Sequence, residues 1–239
     1  MCLAYRSDGD NQAMDIANII QTVAVYALPV LFAITLHEAA HGYVARYFGD
    51  DTAWVLGRVT LNPLKHIDPV GTILMPAMMY LATFAIPGGP FILGYAKPVP
   101  VRFGNLRNPK RDMIWVALAG PGINFVQALL WAVVFVVLGA ADDADTFFIQ
   151  MAKAGVVVNL ALAVLNLFPL PPLDGGRVLV GLLPWRYGQH LARVEPFGFF
   201  IVLGLIVFKV FGPLWMEPMM ALSYRLLNIF IAPVALLLR

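Results

Sequence analysis

The chain has 239 residues, of which 60% are apolar and 13% charged, and its mean hydropathy is +0.78. A soluble domain carries roughly 25% charged residues, so too little polar surface is present to cover a globule, and too much apolar surface to leave the chain disordered. An integral membrane protein remains, helical because its apolar runs are long; a net charge of +2 without a Lys/Arg tract argues against a nucleic acid partner, and the single Cys2 excludes an internal disulfide or a cysteine metal cluster.

The first fifteen residues are polar and acidic and lack the basic start of a signal peptide, so the first apolar run is expected to be retained. That run covers 16–36 and continues as helix to about Phe48. A second, 69–96, is broken by Pro87, Gly88, Gly89 and Pro90. A third covers 113–141. A fourth covers 154–173 and ends in Pro169, Pro171 and Pro172. Two more follow, 196–216 interrupted by Lys209 and 218–238 interrupted by Arg225. Each approaches the roughly 20 residues of a bilayer crossing. The expected fold is all-α, an integral membrane protein of about six transmembrane helices forming a single domain over 1–239. The core motifs occupy about 28–181. The last two helices, within 190–239, are a candidate gate that Gly212-Pro213 and Pro218 would allow to bend.

Residues 87–102 hold proline and glycine too densely for a regular helix. Irregular backbone at membrane depth is tolerated only inside protein or beside a wet cavity. The segment is therefore either a re-entrant, strand-like piece or a surface loop. Loop charges set the orientation. Lys97, Arg102, Arg107, Lys110 and Arg111 cluster in one loop, Arg177, Arg186 and Arg193 follow the prolines, and Asp142, Asp143 and Asp145 form an acidic loop. The positive-inside rule places the basic loops in the cytoplasm. The first helix then ends inside, and parity requires 69–102 to enter the membrane and return.

His37-Glu38-Ala39-Ala40-His41 carries the chemistry. On a helix, residues i and i+4 share a face, so both imidazoles can reach one ion. Glu38 lies about 100° around, placed to act as a base without being a ligand. Zinc accepts imidazole nitrogen readily. The bland alternative is a histidine pair satisfied by hydrogen bonds to a neighbouring helix, but ionisable groups within a span are costly and point to function. Catalytic zinc takes three protein ligands. Candidates for the third are His66, Asp68, His190 and Asp174. Asp174 is favoured because it is the one acid at the end of the fourth span, on the face where His41 lies. It could instead cap the short helix that follows it.

With Asn166-Leu-Phe-Pro-Leu-Pro-Pro-Leu-Asp174-Gly-Gly downstream of His37-Glu-Ala-Ala-His41, the chain resembles the site-2 protease family of intramembrane zinc metalloproteases. Leu61-Asn62-Pro63 with Asp68-Pro69-Val70-Gly71, Gly94-Tyr-Ala-Lys-Pro-Val-Pro100 and Ala119-Gly120-Pro121-Gly122-Ile123-Asn124 extend the likeness. The resemblance implies one zinc per chain held by His37, His41 and Asp174, with Glu38 as the catalytic base. It links Asn166 to substrate handling, with Asn124 and Asn159 as alternatives. It implies a membrane protein substrate cut within or beside a transmembrane helix in the lipid bilayer. The PDZ or CBS domain of many relatives finds no room here, so the likeness is to a minimal membrane core, and regulation is expected from a separate membrane protein. A prokaryotic cell membrane, with the site near the cytoplasmic face, is the expected location.

A helical substrate must unwind before attack. Residues 94–101 could pair with it as an edge strand, with Gly94, Tyr95, Lys97 and Pro98 as substrate-binding residues. Pro98 and Pro100 lack N–H groups and would leave one edge for pairing. The competing functions are a polytopic metal or proton transporter and a relative that binds membrane helices without cutting them. Transport would spread ionisable groups through the bilayer, and binding alone would not need Glu38.

Overall fold

The structure, a computed structural model, describes residues 16–65, 68–74, 78, 97–140 and 146–237. Helix α1 spans Ile16–Tyr47. The short α2, Thr52–Val55, is followed by single turns at Pro63–Lys65 and Pro69–Leu74. Extended backbone at 97–102 leads through a turn at Phe103–Asn105 into α3, Pro109–Gly139. Then come α4 (Thr146–Asn166), α5 (Asp174–Leu182), α6 (Trp185–Ala192), α7 (Glu195–Val207), a turn at Gly212–Met216 and α8 (Glu217–Leu237). No strand occurs among the described residues.

The all-α membrane architecture agrees with the sequence. Among the described residues, four helical stretches are long and apolar enough to cross a bilayer: Ile20–Tyr47, Pro109–Gly139, Thr146–Asn166 and Gly212–Leu237. A fifth is possible if α6 and α7, bent by 66°, form one broken span. The run expected at 69–96 lies mostly outside the described residues. The run expected at 196–216 is not one helix. Lys209 adopts a left-handed φ of 58°, with Lys209 N–H on Ile206 O and Val210 N–H on Leu205 O, a helix stop normally built on glycine. The 13 residues of α7 rise only about 20 Å, short of a hydrocarbon core of about 30 Å. In contrast, α4 starts earlier than the charge-free run 154–173 suggests. Lys153 is carried inside the helix because its ammonium lies 5.4 Å from the Phe135 ring centroid.

The core is built from α1, α3 and α4, which pack on one another, with α5 against α3 and α8 against α3 and α4. Lipid supplies no hydrophobic drive between helices, so close approach through small residues matters. Ala128 and Ala132 of α3 and Val156 and Leu160 of α4 meet Leu227 of α8 in one buried cluster. A Cβ on Gly155 would overlap the Trp131 indole, so that glycine lets α4 close on α3. Ala45, Leu106 and Val116 form a second cluster at the end of α1.

One buried acid fixes the loops beyond α1. Asp50 accepts hydrogen bonds from Thr52 N–H (3.1 Å), Thr52 Oγ1 (2.5 Å), Arg102 N–H (2.7 Å) and Asn105 Nδ2 (3.1 Å). Burial alone would raise its pKa, but these donors outweigh that and hold the carboxyl below the usual range. Asp50 thereby ties the 97–105 segment to the end of α1, and that segment reaches the site.

Candidate metal centre

His37 and His41 lie one helical turn apart on α1, and Asp174 opens α5. The loop between α4 and α5 brings them together. Pro169, Pro171 and Pro172 end α4, and the chain folds back so tightly that a Cβ on Gly175 would overlap the Leu167 carbonyl and one on Gly176 the Pro171 backbone. Only glycine fits there. Asp174 therefore faces inward in the first turn of α5. His37 Nε2 lies 3.2 Å from Asp174 Oδ2, His41 Nε2 lies 3.3 Å from the same oxygen, and the two Nε2 atoms are 3.0 Å apart.

The outer nitrogens decide what these inner atoms are. His41 Nδ1 is 2.7 Å from Val116 O, which can only accept, so Nδ1 carries the proton. His37 Nδ1 is 2.5 Å from Asn124 Oδ1. The orientation of that amide follows from a chain of bonds. Asn159 Nδ2 donates to Gly155 O at 2.8 Å, leaving Asn159 Oδ1 to accept from Asn124 Nδ2 at 2.9 Å. Asn124 Nδ2 also donates to Ala33 O at 3.1 Å. Asn124 Oδ1 thus faces His37, and His37 too is protonated at Nδ1. In the neutral imidazoles, the form a metal requires, both Nε2 atoms then present lone pairs, and they point at Asp174 Oδ2, a buried oxygen with no hydrogen-bond donor.

Three electron-pair donors facing one another repel unless a cation lies among them. Ligand atoms about 2.0–2.1 Å from a tetrahedral zinc are roughly 3.3–3.4 Å apart, close to the spacing here. Gly120 of α3 completes the cradle. A Cβ there would sit 2.6 Å from His37 Nε2 and collide with His41 as well. The residues fit a zinc ion, and His37, His41 and Asp174 are the group that could hold it. Hydrogen bonds that fix the tautomer of a ligating histidine are a regular part of such sites. Here Asn124 and the Val116 carbonyl supply them, with Asn124 oriented in turn by Asn159, and both asparagines are 0% exposed.

Glu38 takes no part in the cluster. Its Oε2 accepts the Val99 N–H at 2.7 Å. Segment 97–101 crosses α1 here, and a Cβ on Gly42, one turn beyond Glu38, would press on the Val59 and Val99 side chains. The structure sets the remaining sequence candidates apart. Asp68 Oδ1 accepts the Val70 and Gly71 N–H groups, and His190 Nδ1–H donates to Arg186 O; neither joins the cluster. His66, Gly94 and Tyr95 lie outside the described residues. Asn166 Nδ2 turns back to Leu162 O on its own helix, 2.9 Å away. Lys97 O and Pro98 O face the Arg58 guanidinium, at 3.2 and 3.5 Å. The role that sequence reading did not find is that of Asn124 and Asn159 toward His37. The one sequence signal was an unusual pair of amides within apolar helices.

Comparison with known proteins points to the same metal. Residues 139–208 match the model of Peptidase family M50. Three of the similar proteins bear the name "Putative zinc metalloprotease". YwhC of Bacillus subtilis is 36% identical over 189 residues, covering 75% of this chain and 78% of YwhC. Rip2 of Mycolicibacterium smegmatis is 32% identical over 204 residues, covering 82% and 72%. Rip2 of Mycobacterium tuberculosis H37Rv is 30% identical over 206 residues, covering 82% and 74%. No solved structure matches the chain significantly. A membrane-embedded His-His-Asp cluster with an adjoining glutamate, joined to relatives of this extent, places the chain in peptidase family M50, the site-2 protease family.

Proposed function

We propose that the chain is an intramembrane zinc metalloendopeptidase of the His-Glu-x-x-His type, which hydrolyses a peptide bond within or beside a transmembrane helix of a membrane protein substrate. The observation that carries this reading is the convergence of His37 Nε2, His41 Nε2 and Asp174 Oδ2 beside a glutamate that is not among them. His37, His41 and Asp174 would hold the ion. When bound, zinc supplies a Lewis acid that makes water a competent nucleophile near neutral pH.

Glu38 does the proton work. It takes a proton from the attacking water as the new C–O bond forms, and returns it to the amide nitrogen as the C–N bond breaks. Val99 N–H on Glu38 Oε2 holds the carboxylate beside the cluster. Asn124 and Asn159 keep the His37 lone pair facing inward. Segment 94–101, with Gly94, Tyr95, Lys97 and Pro98, remains our candidate for holding an unwound substrate, since its described part, 97–101, meets Glu38 through the Val99 N–H. Arg58 pins the Lys97 and Pro98 carbonyls, so pairing there would use the neighbouring residues.

The basic loops support a site near the cytoplasmic face, and the bacterial relatives support a prokaryotic cell membrane. No regulatory domain interrupts the motifs between 28 and 181, which favours control by a separate membrane protein. A transporter reading would call for ionisable groups at several depths, whereas these four gather at one point.

The test is co-expression with single-span membrane proteins, comparing wild type and Glu38→Gln. We expect a cleavage product from wild type only, with one zinc per chain in both. Equal product from the two forms would refute the role of Glu38. Absence of zinc from both would refute the metal centre.

A further inference from the structure

A groove of about 210 Å³ lies away from the metal centre, between α6 and the start of α3. Apolar side chains dominate its lining, Phe103, Met113, Val180 and Trp185 among them, and the exposed Lys110 also lines it. Trp185, Gly188, Gln189 and Ala192 line it from α6, a spacing that puts them on one helical face. Helix α6 is held against α5, since a Cβ on Gly188 would come within 2.8 Å of Val180 O. The groove is thus a fixed feature of two packed helices.

The charge around it is mostly basic: of the adjoining acids, Asp112 is buried and accepts the Asn108 N–H, and Glu195 is paired. Residues 97–111 contain five Lys and Arg and no acid, and residues 175–194 contain three Arg and no acid. Arg177 pairs with Glu195 at 3.3 Å, and Arg107 donates to Tyr47 O. Lys110, Arg111, Arg186 and Arg193 have no ion-pair partner among the described residues. Arg186 and His190 of α6 and Arg193 at its C-cap follow one another at i, i+4 and i+7, beside the groove-lining face, and all are exposed. Trp185 and Tyr187 are 68% and 67% exposed. A basic stretch beside a mostly apolar groove, with Trp185 and Tyr187 exposed on the same short helix, describes a helix lying in a membrane–water interface. The depth is consistent. The 31 residues of α3 span about 46 Å, so an end projects beyond a hydrocarbon core of about 30 Å.

We propose that this groove binds an anionic phospholipid of the surrounding leaflet. An acyl chain lies along Phe103, Met113, Val180 and Trp185. Lys110 meets the phosphate at the rim, and Arg186 and Arg193 meet neighbouring headgroups. Charge complementarity selects this occupant. A zwitterionic lipid offers the same chains without net charge, and an acidic protein segment would not fill an apolar slot at the interface. Because α5 begins at Asp174 and packs on α6, the lipid would brace the helix that carries a metal-cluster residue.

The test uses the full chain purified in mild detergent after exposure to equal amounts of phosphatidylglycerol and phosphatidylcholine, with retained lipid counted by native mass spectrometry. We expect wild type to retain phosphatidylglycerol in preference. Each basic residue near an anionic surface is worth roughly fivefold in lipid partition. Lys110→Glu should therefore lower retained phosphatidylglycerol about fivefold or more, and Lys110→Glu with Arg186→Glu and Arg193→Glu should abolish the preference. These side chains are exposed, so helicity by circular dichroism should be unchanged. Ala192→Phe, which fills the groove and keeps every charge, should also release the lipid. Equal retention of both lipids by wild type would overturn the proposal, as would unchanged phosphatidylglycerol in the charge variants. Loss in the charge variants but not in Ala192→Phe would reduce it to headgroup attraction and overturn the groove.

Discussion

Replacing Asn124 tests whether the outer hydrogen bonds set the chemistry of the centre. Asn124→Ala removes the acceptor that holds the His37 proton on Nδ1. The proton can then occupy Nε2, the nitrogen a metal would need. Loss of such a partner typically costs 10–100-fold in metal affinity, about 1.4–2.7 kcal/mol. The same substitution strips a donor from Ala33 O and Asn159 Oδ1, at about 1–3 kcal/mol of stability for a buried group left unpaired. Asn124→Asp separates the two effects. Its carboxylate still accepts from His37 but donates to neither Ala33 nor Asn159. Zinc affinity is measured by competition with a chromophoric chelator in detergent, and stability by the thermal midpoint. We expect Asn124→Ala to lose 10–100-fold in zinc affinity, and Asn124→Asp to lose stability while binding zinc within a few-fold of wild type. If both variants bind zinc like wild type, or both weaken equally, the tautomer argument fails.

Gly120→Ala should remove zinc altogether, since its methyl would occupy space within 2.6 Å of His37 Nε2; metal analysis of the purified variant showing full zinc with normal helicity would contradict the packing described. Asp50 predicts a pH dependence. Its carboxyl titrates below the usual range when folded, whereas an unfolded aspartate titrates near 3.9. Its contribution is therefore complete above about pH 4 and is lost as the pH falls through the lower folded value. Thermal midpoints of wild type and Asp50→Asn should differ at pH 6 and converge as the pH is lowered toward 2. Parallel curves would refute the assignment.

Some features were legible because their cause is local. Apolar run length fixes a membrane helix, so α1, α3 and α8 appear close to their expected bounds. The four-residue spacing of His37 and His41 fixes a shared helix face wherever the helix lies. Lys153 and Lys209 misled in opposite directions for local reasons that depend on neighbours. Lys153 stays in helix because Phe135, eighteen positions earlier in the chain, receives its charge. Lys209 ends a helix through its own φ, which nothing in its side chain signals.

What the sequence by itself determined is the solvent, the helical class and the chemical identity of the motif. Each follows from composition or from spacing within one turn of helix. Tertiary structure alone decided which distant groups meet that motif. Asp174 was favoured among four acids and histidines, but its oxygen reaches both imidazoles only because Gly175 and Gly176 let the proline loop fold tightly. Three asparagines in apolar helices looked alike in sequence. Packing of α1, α3 and α4 separates them, giving Asn124 to His37 across 87 residues and Asn159 to Asn124 across 35, and leaving Asn166 on its own helix. In lipid a buried amide must find its partners inside the protein, and which partner it finds is set by the distance between helices, a quantity that no single helix encodes.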